Sequence, residues 1–128
     1  MKKIILIISI FFAFVGASNA NEVNIFSSRH YDSDVQLYQK FTAKTGISVN
    51  VVSGKDKALT KRILEEGKDC IGDLYITADA GRLGTAEAKG MFQRAKSNIL
   101  KQKIPSNFRS SYWFGIAKRA RVIYYAPD

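Results

Sequence analysis

Three short β-branched runs, each followed by a helix-like stretch, limit the folds open to this 128-residue chain. The runs cover residues 23–27, 47–52 and 74–77. Strands that alternate with longer helices are typical of a parallel sheet covered by helices. We therefore predict an α/β fold with an open, mostly parallel sheet and flanking helices.

Capping signals mark the ends of the predicted helices. Ser33 with Gln36 three residues later is a capping-box signature, and Gly46 suits a left-handed helix stop, which predicts a helix over residues 34–45. The remaining predictions are a helix stopped by Gly67, helices over residues 83–89 and 97–103, and strands over residues 112–117 and 121–125.

The first twenty residues have the organisation of a signal peptide. Lys2 and Lys3 precede an apolar stretch over residues 4–15, and small residues lead up to Ala20. The apolar stretch is shorter than the roughly 20 residues that span a bilayer. We predict cleavage after Ala20, export to the periplasm, and no integral membrane segment in the rest of the chain.

The charge of the chain excludes few partners by itself. Loss of Lys2 and Lys3 lowers the formal net charge from +9 to +7, which permits anionic partners. The export signal and the scattered positions of the basic residues argue against nucleic acid. We predict that no nucleic acid is bound.

Neither cysteine chemistry nor a catalytic motif stands out. Cys70 is the single cysteine, so no internal disulfide can form, and a packing role explains it without chemistry. The chain shows no paired carboxylates, nucleophile elbow or phosphate-binding loop. We predict a binding module and not an enzyme.

Polar loops follow the three predicted strands, over residues 27–33, 53–56 and 78–82. Ligands of open α/β sheets bind beyond the carboxyl ends of the strands, where such loops converge. In the third loop, Asp79 suits a helix cap, and we expect Arg82 to line the cleft. Asp56, at the second loop, is explained by helix-start preference and solvent exposure.

The first loop carries the most chemistry. Its candidate site residues are Ser27, Ser28, Arg29, His30 and Tyr31. An oxyanion could be held by Arg29, the serine hydroxyls and the following helix N-terminus. A hard trivalent cation could instead displace the Tyr31 phenol proton, because a bound cation inverts the usual pKa order. The residues alone leave both possibilities open.

Residues 23–31, 41–47, 73–83 and 113–124 resemble the bacterial periplasmic ferric-binding proteins, in the subfamily whose first loop reads Ser-Arg-His-Tyr. The resemblance implies the first lobe of a type 2 periplasmic solute-binding protein, which delivers iron to an inner-membrane ABC permease. It implies that His30 and Tyr31 are ligands of Fe(3+), the transported ligand, with Arg29 as an electrostatic neighbour. Further tyrosine ligands, including an adjacent pair, would come from a second lobe.

The chain stops at Asp128, directly after a β-prone run. We interpret residues 21–128 as the first lobe of a truncated or fragmentary protein whose second lobe is missing, and we expect a monomer. Tyr124 and Tyr125 are adjacent, but strand alternation would point them to opposite faces, so we do not assign them to iron. The alternatives are an oxyanion or small organic solute-binding protein, and a non-functional remnant.

Overall fold

The computed structural model describes residues 21–118, 120 and 122–125. The predicted signal peptide and Arg121 lie outside this part of the chain. The strands are β1 (Glu22–Ser27), β2 (Ser48–Ser53) and β3 (Leu74–Ile76). The α-helices are α1 (Asp32–Thr45), α2 (Asp56–Glu66), α3 (Ala80–Ala88) and α4 (Asn98–Lys103), with 3-10 turns at Gly67–Asp69 and Ser106–Phe108.

The three strands form one parallel sheet in the order β2-β1-β3. Along β1, Phe26 pairs with Val52 of β2 and with Tyr75 of β3. The central position of β1 means that both other strands end beside the loop that leaves it. The predicted α/β class with a parallel sheet and flanking helices is confirmed.

The helices α1 and α2 cover opposite faces of the sheet. The chain moves from β1 to one side to make β2 and then returns across β1 to make β3, so right-handed crossovers place the two helices on different faces. On the α2 face, the Arg62 guanidinium carbon lies 4.9 Å from the centre of the Phe26 ring. On the other face, Ser27 and Val51 line a cleft against α1.

The core is small and is centred on β1. Within the described residues the buried hydrophobic side chains are Ile25, Phe26, Leu59 and Ala86. A Cβ atom built on Gly72 would lie 3.3 Å from the Phe26 ring, so glycine allows the loop before β3 to pack closely there. Helix α1 buries none of its residues, which leaves much of its apolar surface exposed.

The start of α1 differs from the sequence prediction. The helix begins at Asp32, two residues earlier than expected, and its N-cap residue Tyr31 makes no capping hydrogen bond through its side chain. The Ser33 and Gln36 capping box is therefore wrong, because Ser33 already lies inside the first turn. Asp32 and Asp34 place negative charge at the positive end of the helix dipole. The expected stop is confirmed, since Gly46 has a φ of 73°.

The predicted strands over residues 112–117 and 121–125 are wrong where the structure describes them. Those residues form no strand, and a single antiparallel bridge joins Arg109 to Phe114. The Ser110 hydroxyl oxygen accepts hydrogen bonds from the backbone N–H groups of Tyr112 and Trp113, which produces a turn. Residues 122–125 are largely exposed and have no ladder partner in the described part of the chain.

The remaining helices agree more closely with expectation. Helix α2 ends before Gly67, and α4 begins after Ser97, whose side chain accepts a hydrogen bond from the Leu100 N–H. Helix α3 begins at Ala80, three residues earlier than predicted. No helix within the described residues is long and apolar enough to cross a membrane.

Candidate metal centre

The loop between β1 and α1 lies at the carboxyl ends of all three strands. The Ser28 N–H donates to the Ile76 carbonyl at 3.0 Å, and the Gly54 N–H donates to the Ser27 carbonyl at 3.1 Å. These two bonds hold the end of β1 between the ends of its neighbours. The strand order reverses between β1 and β3, and doubly wound folds bind ligands beyond the strand ends at such a switch point.

His30 and Tyr31 are exposed side chains at this position. Tyr31 is 48% exposed and is the last residue before α1. The two side chains line the same cleft, of about 720 Å³, between α1 and the open face of β2. The structure therefore brings together the two residues that the sequence predicts as metal ligands.

The Arg29 side chain is bound by a carboxylate. Its Nε and Nη2 atoms donate to the two Asp34 carboxylate oxygens at 2.9 and 3.0 Å. The Arg29 and Asp34 side chains are 13% and 15% exposed. The guanidinium carbon also lies 4.9 Å from the centre of the Tyr31 ring, a cation–π distance. Arg29 therefore contacts the candidate ligand while its charge is compensated.

The two serines of the loop form hydrogen bonds within the protein, Ser27 through its hydroxyl and Ser28 through its backbone N–H. Ser27 is buried, and its hydroxyl accepts from the Arg29 N–H at 3.1 Å and donates to the Arg29 carbonyl at 3.3 Å. Ser28 is half-buried, and its N–H bonds to β3. Ser27 and Arg29 thus have protein partners in place of the oxyanion that the sequence also allowed.

Tyr38 is a cleft residue that the sequence analysis did not select. It lines the same cleft one helical turn beyond Asp34. Burial and the nearby Asp34 charge raise the pKa of Tyr38, against the opposing effects of Arg29 and a hydrogen bond with Ser27. The raised pKa favours the neutral phenol. The four-residue spacing from Asp34 on α1 is the signal that could have identified it.

Asp56 is the centre of a separate polar cluster at the mouth of β3. Its Oδ1 accepts from the Tyr75 hydroxyl at 2.6 Å and from the Thr77 hydroxyl at 2.9 Å. Arg82 forms an ion pair with its other oxygen. The Asp56 side chain is only 12% exposed, so the expected solvent exposure of this residue is wrong.

The third loop and the first turn of α3 supply the Asp79 cap of α3 and the Arg82 partner of Asp56. Asp79 Oδ1 accepts from the Gly81 N–H at 2.8 Å, which confirms the expected helix cap. Arg82 lines a groove between α2 and α3 together with Asp56, and it is not among the residues that line the His30 cleft. Asp79 and Arg82 are therefore not among the residues that line the His30 cleft.

His30 and Tyr31 alone make an incomplete ferric site. In the described part of the chain, no three His, Cys, Asp or Glu side chains come together in an arrangement that could hold a metal ion. Imidazole and phenolate are suitable ligands, but an octahedral ion needs four more donors. This half-site has the donor types for iron without the full coordination number.

Comparison with known proteins shows what the chain is homologous to. Iron uptake protein A1 of Synechocystis sp. is 49% identical over an alignment of 106 positions that covers 81% of this chain and 29% of that protein. The chain is homologous to bacterial periplasmic ferric-binding proteins. The homology includes the Fe(3+)-binding periplasmic protein of Serratia marcescens, 28% identical over 87% of this chain and 33% of that protein.

A solved relative that contains iron shares the fold over most of this chain. The Trichodesmium protein IdiA, or FutA, in complex with iron and citrate ligands superposes with a TM-score of 0.70 at 47% identity. The match covers 73% of this chain and 30% of that one. No protein-family model matches the chain. These relatives are iron-binding proteins and not enzymes, in agreement with the predicted binding module.

The chain spans about 30% of the length of the relatives that it matches. What the whole ferric-binding proteins bind therefore applies to this chain only as a hypothesis.

Proposed function

We propose that this chain binds ferric ion in the periplasm through His30 and Tyr31, for delivery to an inner-membrane ABC permease. The observation that carries the proposal is the placement of these two exposed side chains in one cleft at the carboxyl end of β1, between α1 and β2. Open α/β sheets bind their ligands at this position. The homology to ferric-binding proteins supports the choice of iron.

The charges around the cleft are compatible with a cation. Arg29 would repel a trivalent ion if it were unpaired, but Asp34 lies against it with both oxygens. A metal ion favours the deprotonated form of a tyrosine ligand, so Tyr31 supplies one negative charge when iron is bound. His30 supplies a neutral nitrogen ligand.

The domain assignment is part of the same proposal. Residues 1–20 are a signal peptide, and residues 21–128 are the first lobe of a monomeric two-lobed solute-binding protein. The remaining iron ligands come from a second lobe, because the relatives are about three times as long as the matched region. Closure of two lobes on the ion would exclude water from the half-site.

Substitution of the two ligands tests the proposal. The purified chain is titrated with ferric nitrilotriacetate, and binding is followed by the visible charge-transfer absorption of iron-bound tyrosinate. We expect Tyr31→Phe to abolish the absorption and His30→Ala to weaken binding at least tenfold, since each change removes a ligand.

Tyr125→Phe is the matched control, because Tyr125 is 87% exposed and is not assigned to iron. It should bind as the unchanged chain does. Iron binding that survives in Tyr31→Phe, or that is lost in Tyr125→Phe, would contradict the ligand assignment.

The oxyanion or small organic solute site is the alternative function. Its best donor, Arg29, is already paired with Asp34, and the Ser27 hydroxyl is buried. Citrate without iron is the probe for this alternative, and its binding should survive Tyr31→Phe. A chain that binds neither ferric ion nor citrate would support the non-functional remnant.

A further inference from the structure

We propose that Arg29 is a positioning residue that fixes the Tyr31 ring for iron, and that Asp34 fixes Arg29. This inference rests on the proposed ferric function and goes beyond it, because it gives a role to two residues that do not ligate the ion. It also makes specific the role of electrostatic neighbour that the resemblance implies for Arg29.

The ion pair fixes the plane of the guanidinium. Two parallel hydrogen bonds, of 2.9 and 3.0 Å, join Arg29 to Asp34. A bidentate fork of this kind sets the orientation of the group as well as its distance. The low exposure of both side chains limits competition from water. The guanidinium therefore presents a defined face to its other neighbour, the Tyr31 ring.

The backbone around the pair closes a short ring of contacts. The Asp34 N–H donates to the Tyr31 carbonyl at 2.9 Å, so Asp34 is bonded both to Tyr31 and to Arg29. The buried Ser27 hydroxyl bonds to both the N–H and the carbonyl of Arg29. Arg29 is thus fixed at its backbone and at its tip, which is the arrangement required of a residue that orients its neighbour.

The physical benefit is preorganisation. A Tyr31 ring that already rests on a fixed guanidinium loses less rotamer freedom when iron binds. The guanidinium lies 4.9 Å from the ring centre, so contact is with the ring face and the hydroxyl is left to the ion. Among the described residues, no hydrogen-bond partner competes for the Tyr31 hydroxyl.

Arg29→Lys tests the role, because lysine keeps the charge and loses the planar fork. We expect the affinity for ferric ion, supplied as the nitrilotriacetate complex, to fall roughly three- to tenfold, the range for one unfixed side chain. The charge-transfer absorption of bound tyrosinate should shift and broaden, because the Tyr31 ring is no longer held in one orientation. Asp34→Ala should shift and broaden the absorption in the same way, and it should lower the affinity further, because the Arg29 charge is then left unpaired near the ion.

Arg62→Lys is the matched control. Arg62 also pairs with a carboxylate, that of Glu66, and its guanidinium carbon lies 4.9 Å from an aromatic ring. It sits on the opposite face of the sheet, against Phe26. Arg62→Lys can lower stability, but we expect ferric affinity and the charge-transfer absorption to remain unchanged.

A measurement without iron separates the two proposals. In protein labelled with 13C-tyrosine, the Tyr31 ring signals are assigned by their loss in Tyr31→Phe. Arg29→Lys should shift and broaden these signals and leave those of Tyr75 in place. Unchanged Tyr31 signals together with unchanged ferric affinity would overturn the positioning role and leave the ferric function standing. A failure of the unsubstituted chain to bind iron would overturn both proposals.

Discussion

Two arginine–aspartate pairs lie at the carboxyl ends of neighbouring strands, Arg29 with Asp34 near the end of β1 and Arg82 with Asp56 near the end of β3. The first pair contacts a tyrosine through its ring, and the second binds a tyrosine through its hydroxyl. Arg29 and Asp34 bond to each other, and Tyr31 rests on the guanidinium with its hydroxyl exposed to the cleft. At the other mouth, Asp56 pairs with Arg82 and also binds the Tyr75 hydroxyl at 2.6 Å.

The difference shows what makes a tyrosine available to a metal ion. The Tyr75 hydroxyl would have to leave a carboxylate that is 12% exposed before it could bind anything else. Tyr31 has no such bond to break within the described residues. The β1 mouth, formed by Arg29, Tyr31 and Asp34, is therefore suited to ligand binding. The β3 mouth, formed by Asp56, Tyr75 and Arg82, is suited to holding α2, β3 and α3 together. The predictions below test this division.

The largest effect on stability is expected at Phe26, because this core residue supports the residues at both strand ends. Phe26 is fully buried in β1, the strand that lies between the two clusters. Phe26→Ala should lower the free energy of unfolding by about 3–5 kcal/mol and disrupt both clusters together. Urea denaturation measures the loss. Phe41→Ala on the exposed side of α1 is the control and should cost clearly less, since Phe41 is 39% exposed.

Removal of the second cluster comes next in size. Asp56→Ala leaves the Tyr75 and Thr77 hydroxyls and the Arg82 guanidinium without their acceptor. We expect a loss of about 2–3 kcal/mol in the free energy of unfolding, because half-buried donors lose their partners. Ferric affinity measured on the folded protein should not change.

The exposed Asp69 gives the control for this substitution, and Asp69→Ala should stay within about 0.5 kcal/mol of the unchanged chain. An Asp56→Ala chain that is as stable as the unchanged chain, or that loses iron binding while folded, would contradict the division. The residues around Tyr31 would then not be the ligand site, or those around Tyr75 would not be structural.

The contrast between these clusters also separates what sequence could predict from what it could not. The β-branched runs predicted all three strands, and Gly46 predicted the end of α1, because periodicity and glycine conformation are local properties. The strand-to-helix turn drew attention to His30 and Tyr31, but their selection as iron ligands came from the resemblance to ferric-binding proteins, since the residues alone also allowed an oxyanion site.

The pairings themselves could not be predicted. The Arg29–Asp34 pair depends on the conformation of the turn between β1 and α1, and the Tyr75–Asp56 bond depends on how β3 lies against the start of α2. The same limit explains the incorrect strands beyond residue 111. High β-propensity there is not enough without a neighbouring strand to complete the hydrogen-bond ladder.

A pair of identical substitutions gives the sharpest comparison. Tyr75→Phe removes one hydrogen bond to Asp56 and should cost about 1 kcal/mol in stability with no loss of iron binding. Tyr31→Phe removes an exposed hydroxyl and should abolish iron binding with little change in stability. Denaturation and ferric titration are measured on both chains. Equal effects on both quantities would show that the two tyrosines are not functionally distinct.

The smallest effect concerns the pH dependence of stability and comes from Tyr38, which lies near Asp34 in the His30 cleft. Burial first, and then the Asp34 charge, raise the pKa of Tyr38 above its ordinary value of 10.0. The folded chain therefore keeps this proton to higher pH than the unfolded chain does, so the contribution to stability is complete below about pH 10 and is lost as pH rises through the raised value.

Tyr38→Phe should make the alkaline decline in the free energy of unfolding shallower, because phenylalanine has no proton to lose. Urea denaturation at pH 8 and at several values near and above pH 10 measures the slope, with Tyr124→Phe as the control because Tyr124 is 88% exposed. Parallel slopes for Tyr38→Phe and the unchanged chain would show that the Tyr38 proton is not coupled to the Arg29 and Asp34 pair. The Arg29 and Asp34 pair would then act in this cleft only through the contact between the Arg29 guanidinium and the Tyr31 ring.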